Sequence, residues 1–202
     1  MPRLVLGSAS PRRAALLREL GVDFTVRVSD VPEERAAGES AVDFARRIAR
    51  EKGTAVARQG GDAWILSADT IVVVDGDVLG KPADAAEARR MLERLAGRSH
   101  DVLTAVALTA PSGMLAADLL VRSGVVFRPL TADEIDAYIT TGEPFDKAGA
   151  YGIQGGAAAF VEDVSGSYTN IVGLPMDEVR DLLLRHHLLP VALRQPVPGR
   201  SV

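Results

Sequence analysis

The chain has 202 residues, 47% hydrophobic and 25% charged, a composition and length that support one well-buried domain. Its 23 Lys and Arg stand against 27 Asp and Glu, a formal net charge of −4, which speaks against a general nucleic-acid surface and makes any cationic cluster a local site. With no Cys and 3 His, disulfides and thiolate metal centres are unavailable, and a bound metal would be a hard ion held by oxygen.

In chain order, the apolar Leu4-Val5-Leu6 lies in a first strand from Arg3 to Ser8, and Pro11 to Leu20 reads as the first helix. Ser10 is a good N-cap, and Pro11 suits the first helical position, where its missing N–H would be orphaned anyway. The turn between them gathers helix N–H groups, the hydroxyls of Ser8 and Ser10, and the guanidiniums of Arg12 and Arg13. Those donors suit a phosphate chain, although a capped helix with solvated arginines would use the same residues. Next come a strand from Phe24 to Val28, a helix from Ala41 to Arg58, and strands Trp64 to Ala68 and Thr70 to Asp75. Ser40 with Asp43, Asp84 with Glu87, and Thr131 with Glu134 mark the starts of helices ending near Arg58, Ala96 and Thr141. Asp75-Gly76 turns the run Val72-Val73-Val74 back into Val78-Leu79, and Asp101 to Ala110 and Leu119 to Phe127 form two more strands around Pro111-Ser112-Gly113. A last helix runs from Pro175 to about His186. Residues 1–189 then form a single domain, and 190–202 a tail expected to be poorly ordered. The class is α/β, with hairpins that make the sheet mixed and partly antiparallel. No apolar stretch approaches the roughly 18 residues of a membrane span and the start lacks a secretion pattern, so no membrane association and a cytoplasmic location are expected.

Asp69, between the apolar Trp64 to Ala68 and Thr70 to Asp75 runs, is placed where a buried strand emerges. A carboxylate there can hold a divalent ion or take a proton from water, or simply make a turn. Glu33 and Glu34 offer adjacent acids after the second strand, and one of them can complete a metal site or lie in a solvated loop. Lys52 in the second helix and Lys81 in Gly80-Lys81-Pro82 can neutralise phosphate charge. Gly76 to Pro82 has the wrong spacing for a P-loop and lacks its Ser or Thr; dinucleotide, serine-hydrolase and zincin motifs are missing as well. The loop from Glu143 to Gly156 carries Lys147, Tyr151 and Gln154 among glycines. Tyr151 is placed either to stack on a base or to sit in the core, and the Gln154 amide can pair with the carbonyl and ring N–H that uracil or thymine presents.

Taken in order, Ser8-Ala9-Ser10-Pro11-Arg12-Arg13, Glu33-Glu34, Arg50-Glu51-Lys52, Ala68-Asp69-Thr70-Ile71-Val72, Gly80-Lys81-Pro82, Asp146 to Gly155, and Gly166-Ser167-Tyr168 with Gly173-Leu174-Pro175 resemble the Maf family of nucleoside triphosphate pyrophosphatases from Arg3 to about Leu189. The resemblance implies a two-lobed mixed α/β fold around a central cleft, similar to the inosine triphosphate pyrophosphatases, a homodimer, and a divalent cation, Mg2+ or Mn2+. The form Asp146-Lys147-Ala148-Gly149-Ala150-Tyr151-Gly152-Ile153-Gln154-Gly155 looks like the branch that hydrolyses dTTP and UTP to the monophosphate and pyrophosphate rather than the branch acting on 7-methyl-GTP. It implies Asp69 as proton acceptor and Arg12, Thr70 and Gln154 as specificity positions, with Glu33, Lys52 and Lys81 at further phosphate or metal positions. On that reading Arg12, Arg13, Lys52 and Lys81 grip the triphosphate, while Glu33 and Asp69 hold the ion. Whether Asp69 serves chiefly as base or as ligand stays open. The competing expectations are a non-catalytic nucleotide-binding regulator of septum formation and a hydrolase cutting at the γ-phosphate.

Overall fold

The computed structural model describes residues 3–189, so the proposed tail at 190–202 lies outside the described residues. Seven strands form one mixed sheet: β1 (Leu4–Leu6), β2 (Phe24–Val26), β3 (Trp64–Val74), β4 (Asp77–Leu79), β5 (Ser99–Thr109), β6 (Leu115–Phe127) and β7 (Val161–Ser165). The order is β2-β1-β3-β5-β6-β7, with β4 also on β3; β1 runs parallel to β2 and β3, and the other pairs are antiparallel. The helices are α1 (Pro11–Glu19), α2 (Ala41–Arg58), α3 (Ala85–Leu95), α4 (Ala132–Thr140), α5 (Tyr168–Val172) and α6 (Met176–Arg185). Three short 3-10 turns lie between Glu143 and Phe160.

Capping chemistry sets most helix starts where the sequence places them. Ser10, Ser40, Asp84 and Thr131 each accept from the backbone N–H three residues on, and Thr131 with Glu134 completes a reciprocal capping box. At the β3–β4 hairpin, Asp75 and Gly76 both take positive φ, 52° and 82°, the pair of left-handed residues that a two-residue turn matched to strand twist requires.

Alternation along β3 divides the core into layers. Ser67, Asp69 and Ile71 face α2, while Leu66, Ala68, Val72 and Val74 pack into the larger cluster with α1, α3, α4 and α6. Here the structure corrects the sequence reading, because Asp69 does not end a strand. It lies in the middle of a continuous eleven-residue β3, opposite Ala105. The access expected of a strand end arises differently. One edge of β3 is paired with β5 from 65 to 73, whereas the other is paired with β1 only at 64–66 and with β4 only at 72–74. Residues 67–71 face no strand on that side, and this gap in the sheet is where the cleft opens.

β2 is shorter than predicted and β6 begins four residues earlier, at Leu115, because its first half is too exposed to show an apolar pattern. β7 and α5 were not predicted. β7 has charged Glu162 and Asp163 at its centre, as suits a sheet edge, and α5 is too short to establish a period.

Candidate active site

The turn from Gly7 to Arg13 borders the open edge of β3, and a cleft of about 1060 Å³ opens there. Every predicted site residue lines this one cleft: Ser8, Ser10, Arg12 and Arg13 from the turn, Asp69 and Thr70 from β3, Glu33 and Lys52 on the α2 side, Lys81 after β4, and Lys147 and Gln154 from the far wall. Arg12 and Asp146 approach to 3.7 Å across its mouth.

At the centre, the Lys52 ammonium lies 2.7 Å from both Asp69 Oδ1 and Glu33 Oε1, and Lys81 lies 3.7 Å from Glu33 Oε2. Asp69 is only 4% exposed. Burial pushes its pKa up against the opposing charges of Lys52 and Arg13, and Glu33 adds to the rise. Burial also acts to raise Glu33, but the Lys52 hydrogen bond and the charges of Lys52, Lys81 and Arg13 outweigh it and leave that carboxyl below its ordinary value. Two acids that face one ammonium are thus driven apart: Glu33 is the stable anion, and Asp69 is the one whose proton affinity is raised. That separation suits a proton acceptor beside a permanent charge.

Lys52 is aimed by close packing of α2 on the sheet. A Cβ on neighbouring Gly53 would come within 2.7 Å of Thr109 Oγ1 and 2.8 Å of Ser67 Oγ, so the helix reaches this depth only because position 53 has no side chain. Ser67 adds a hydrogen bond to the Ala49 carbonyl at 2.7 Å.

Arg13 acts mainly as a strut. Its Nε donates to the Gly173 carbonyl at 2.8 Å, Nη1 to Ser8 Oγ at 3.1 Å and to the Ala68 carbonyl at 2.9 Å, and Nη2 to Thr70 Oγ1 at 2.9 Å. The Ala68 carbonyl is one that the missing strand would have bonded. With five N–H groups and four of these contacts, one donor of Arg13 is left for a ligand.

On the far wall, Tyr151 does not offer its ring to a base. It is buried edge-on against Phe127 and His100, with its hydroxyl 2.8 Å from His100 Nε2. Gln154, by contrast, is exposed in the cleft and its amide makes no hydrogen bond among the described residues. The glycines around it wrap Glu143: Gly156 N–H donates to Glu143 Oε2 at 3.0 Å, and a Cβ on Gly155 would collide with that carboxylate. Sequence reading gave Glu143 no task; its place at the head of the loop was visible, but the loop's return over it was not. Thr104, which stands behind Thr70, was missed also. The one available signal was a Thr inside the otherwise apolar Val102 to Leu108 run.

Glu33 and Asp69 are hard oxygen donors of the kind Mg2+ or Mn2+ takes. No group of three or more His, Cys, Asp or Glu gathers among the described residues. Two carboxylates are a sparse set, so an ion held there would take most of its shell from water and a ligand's phosphate oxygens.

An α/β sheet opened at mid-strand, with a donor-rich turn on one side and a lysine-bridged acid pair on the other, defines a cleft for phosphorylated ligands. The chain belongs to the Maf-like protein family, whose model matches residues 3–186. It is 52% identical over 185 residues to a dTTP/UTP pyrophosphatase of Geobacter sulfurreducens, covering 91% of this chain and 96% of that one. It is 48% identical over 198 residues to a dTTP/UTP pyrophosphatase of Myxococcus xanthus, covering 98% and 96%. A solved HAM1 protein from Coxiella burnetii shares the fold, with a TM-score of 0.52 and 19% identity over 92% of this chain and 100% of that chain.

Proposed function

We propose that this protein hydrolyses dTTP and UTP between the α and β phosphates, releasing the nucleoside monophosphate and pyrophosphate and clearing these nucleotides from the pool. The observation that carries the reading is the buried Asp69, joined through the Lys52 ammonium to Glu33 in a cleft otherwise lined by phosphate donors. Relatives at about half identity over nearly the whole chain bear the same activity in their names. A pure polyphosphate binder gains nothing from a carboxylate pair beside an anionic ligand, so the site favours turnover over a purely regulatory role.

In this mechanism Asp69 accepts a proton from the water that attacks the α-phosphorus. The bond to the bridging oxygen breaks, and pyrophosphate leaves with that oxygen. Arg12, Lys81 and Lys147 bind phosphate oxygens from the rim, Ser8, Ser10 and the remaining Arg13 donor bind them from the turn, and Lys52 stabilises charge near Asp69. Glu33 and Asp69 would hold a Mg2+ or Mn2+ ion, which supplies charge neutralisation for the phosphates. Gln154 pairs with the pyrimidine edge. The reading includes action as a homodimer in the cytoplasm, where the nucleotide pool lies; no helix among the described residues is long and apolar enough to cross a membrane.

Incubation with UTP and Mg2+ tests the proposal directly. UMP and pyrophosphate are expected; UDP with orthophosphate would move the cut to the γ-phosphate, and recovery of intact UTP would leave binding alone.

A further inference from the structure

Gln154 owes its place in the cleft to a turn that other side chains hold. Gly155 N–H donates to the Gly152 carbonyl at 3.0 Å, which makes Ile153 and Gln154 the two central residues of a tight turn. Ile153 is buried in the core and Gln154 is exposed, so the turn anchors by one residue and presents the next. Its flanks are tied to side chains. Gly152 N–H donates to the Tyr138 hydroxyl at 3.0 Å, and Gly156 N–H donates to Glu143 Oε2 at 3.0 Å.

The Glu143 carboxylate also fills the space that the glycines leave free. A Cβ on Gly152 would come within 2.6 Å of Glu143 Oε1, and one on Gly155 would collide with the same carboxylate. Glu143 and Tyr138 are themselves held from the end of α4. The Glu143 N–H donates to Thr141 Oγ1 at 3.2 Å, the Thr141 hydroxyl donates to the Tyr138 carbonyl at 2.6 Å, and the Glu143 carbonyl accepts from Lys147 Nζ at 2.6 Å. The Tyr138 ring is buried edge-on against Phe160, with centroids 5.2 Å apart. A segment with three glycines in five residues, 152 to 156, has wide backbone freedom of its own. A directional hydrogen bond to a ligand is worth most when the group that makes it is already in place, so a turn of this composition needs an outside clamp.

We propose that Glu143, together with the Tyr138 hydroxyl, is a positioning residue for substrate selection: the two clamp the turn from Gly152 to Gly156 so that the Gln154 amide meets the pyrimidine edge in one fixed orientation. The inference rests on the dTTP and UTP reading above, with Gln154 as the residue that pairs with the base. Glu143 and Tyr138 act through Gln154 and not on the substrate itself.

The test measures kcat/KM for UTP and CTP in the wild type, Glu143→Ala, Glu143→Gln, Gln154→Ala and the double variant Glu143→Ala/Gln154→Ala. Removing an anion from the cleft wall favours both triphosphates alike, so the UTP to CTP ratio is the quantity that reports the clamp. That ratio should fall about threefold to tenfold in Glu143→Ala, and no further than in Gln154→Ala. Glu143→Gln keeps an oxygen that can accept from Gly156 and should recover most of the ratio. The double variant should match Gln154→Ala alone, because the clamp has nothing to position once the amide is gone. An unchanged ratio in Glu143→Ala beside a lowered one in Gln154→Ala would reduce Glu143 to a structural role and overturn the proposal, as would additive losses in the double variant. Should Glu143→Ala fail to fold, Tyr138→Phe, which removes only the hydroxyl, decides: a fall of about threefold upholds the clamp, and an unchanged ratio overturns it. An unchanged ratio in Gln154→Ala, or wild-type protein that leaves UTP intact, would instead defeat the parent reading.

Discussion

Asp69 and Lys52 show how burial changes the chemistry of an ordinary ion pair. An exposed Asp-Lys contact contributes little, but a carboxylate that has lost its water and faces both an ammonium and a second acid holds a proton more tightly than usual. Asp69→Asn keeps the shape and removes the acceptor. Pyrophosphate release from UTP should fall about a hundredfold to ten-thousandfold in this variant. A loss smaller than tenfold would assign the proton to another group. Gln154 is exposed and makes no hydrogen bond among the described residues; if it pairs with the base as proposed, Gln154→Ala should lower the UTP to CTP ratio by about tenfold while changing kcat less than KM. An unaltered ratio would remove it from base recognition. Both residues were legible as sequence: Asp69 interrupts an apolar β run, and Gln154 sits among glycines that permit close approach. The role of Arg13 as a strut was not, because its partners Ala68, Thr70 and Gly173 are as many as 160 positions away in the chain.

Among the elements, α2 does the most to shape the site. Its amphipathic face buries Phe44, Ala45, Ile48 and Ala49 against β3 and β5, and its Ser40 cap fixes where it starts, so Lys52 projects at a set depth. Gly53 makes that depth possible. Adding a methyl group there should push the helix outward or strain Ser67 and Thr109, a cost of about 1–3 kcal/mol for overpacking. Gly53→Ala should therefore lower the unfolding midpoint in urea and, by displacing Lys52, reduce kcat on UTP as well. A variant of unchanged stability and activity would show that the helix has room to yield. The helix boundaries were readable from capping residues and periodicity; the depth of packing was not, since a glycine in a helix reads only as a local weakness.

Over the whole molecule, the aromatic cluster under the far wall links the cleft to acid stability. His100 is 4% exposed between Phe127 and Tyr151, and burial holds its pKa down to about 4, with the Asp101 charge opposing. The unfolded chain has an ordinary His, near 6.5, and so binds the proton first as pH falls. The neutral, buried His100 thus contributes stability fully present above about pH 6.5 and lost progressively toward pH 4, on the order of 3 kcal/mol in total. His100→Gln, which cannot titrate, should show a shallower fall in unfolding free energy across that window in denaturant titrations at a series of pH values. An identical slope in both proteins would place the acid sensitivity elsewhere.

The α/β class, most helix starts, the hairpin turns and the family are legible in the chain alone, because capping, periodicity and turn chemistry act over a few residues and leave a local record. It also named the residues that meet in the cleft. Tertiary structure decided how the cleft exists: β1 stops at Leu6 and β4 begins pairing only at Val72, so the middle of β3 is left open, and strand length on one side of a sheet is set by what pairs across it. Tertiary contacts decided too that Tyr151 belongs to the core and that Arg13 donates to both Ser8 and Thr70. Hydrogen-bond direction depends on every partner a group meets at once, and in this fold those partners come from distant segments of the chain.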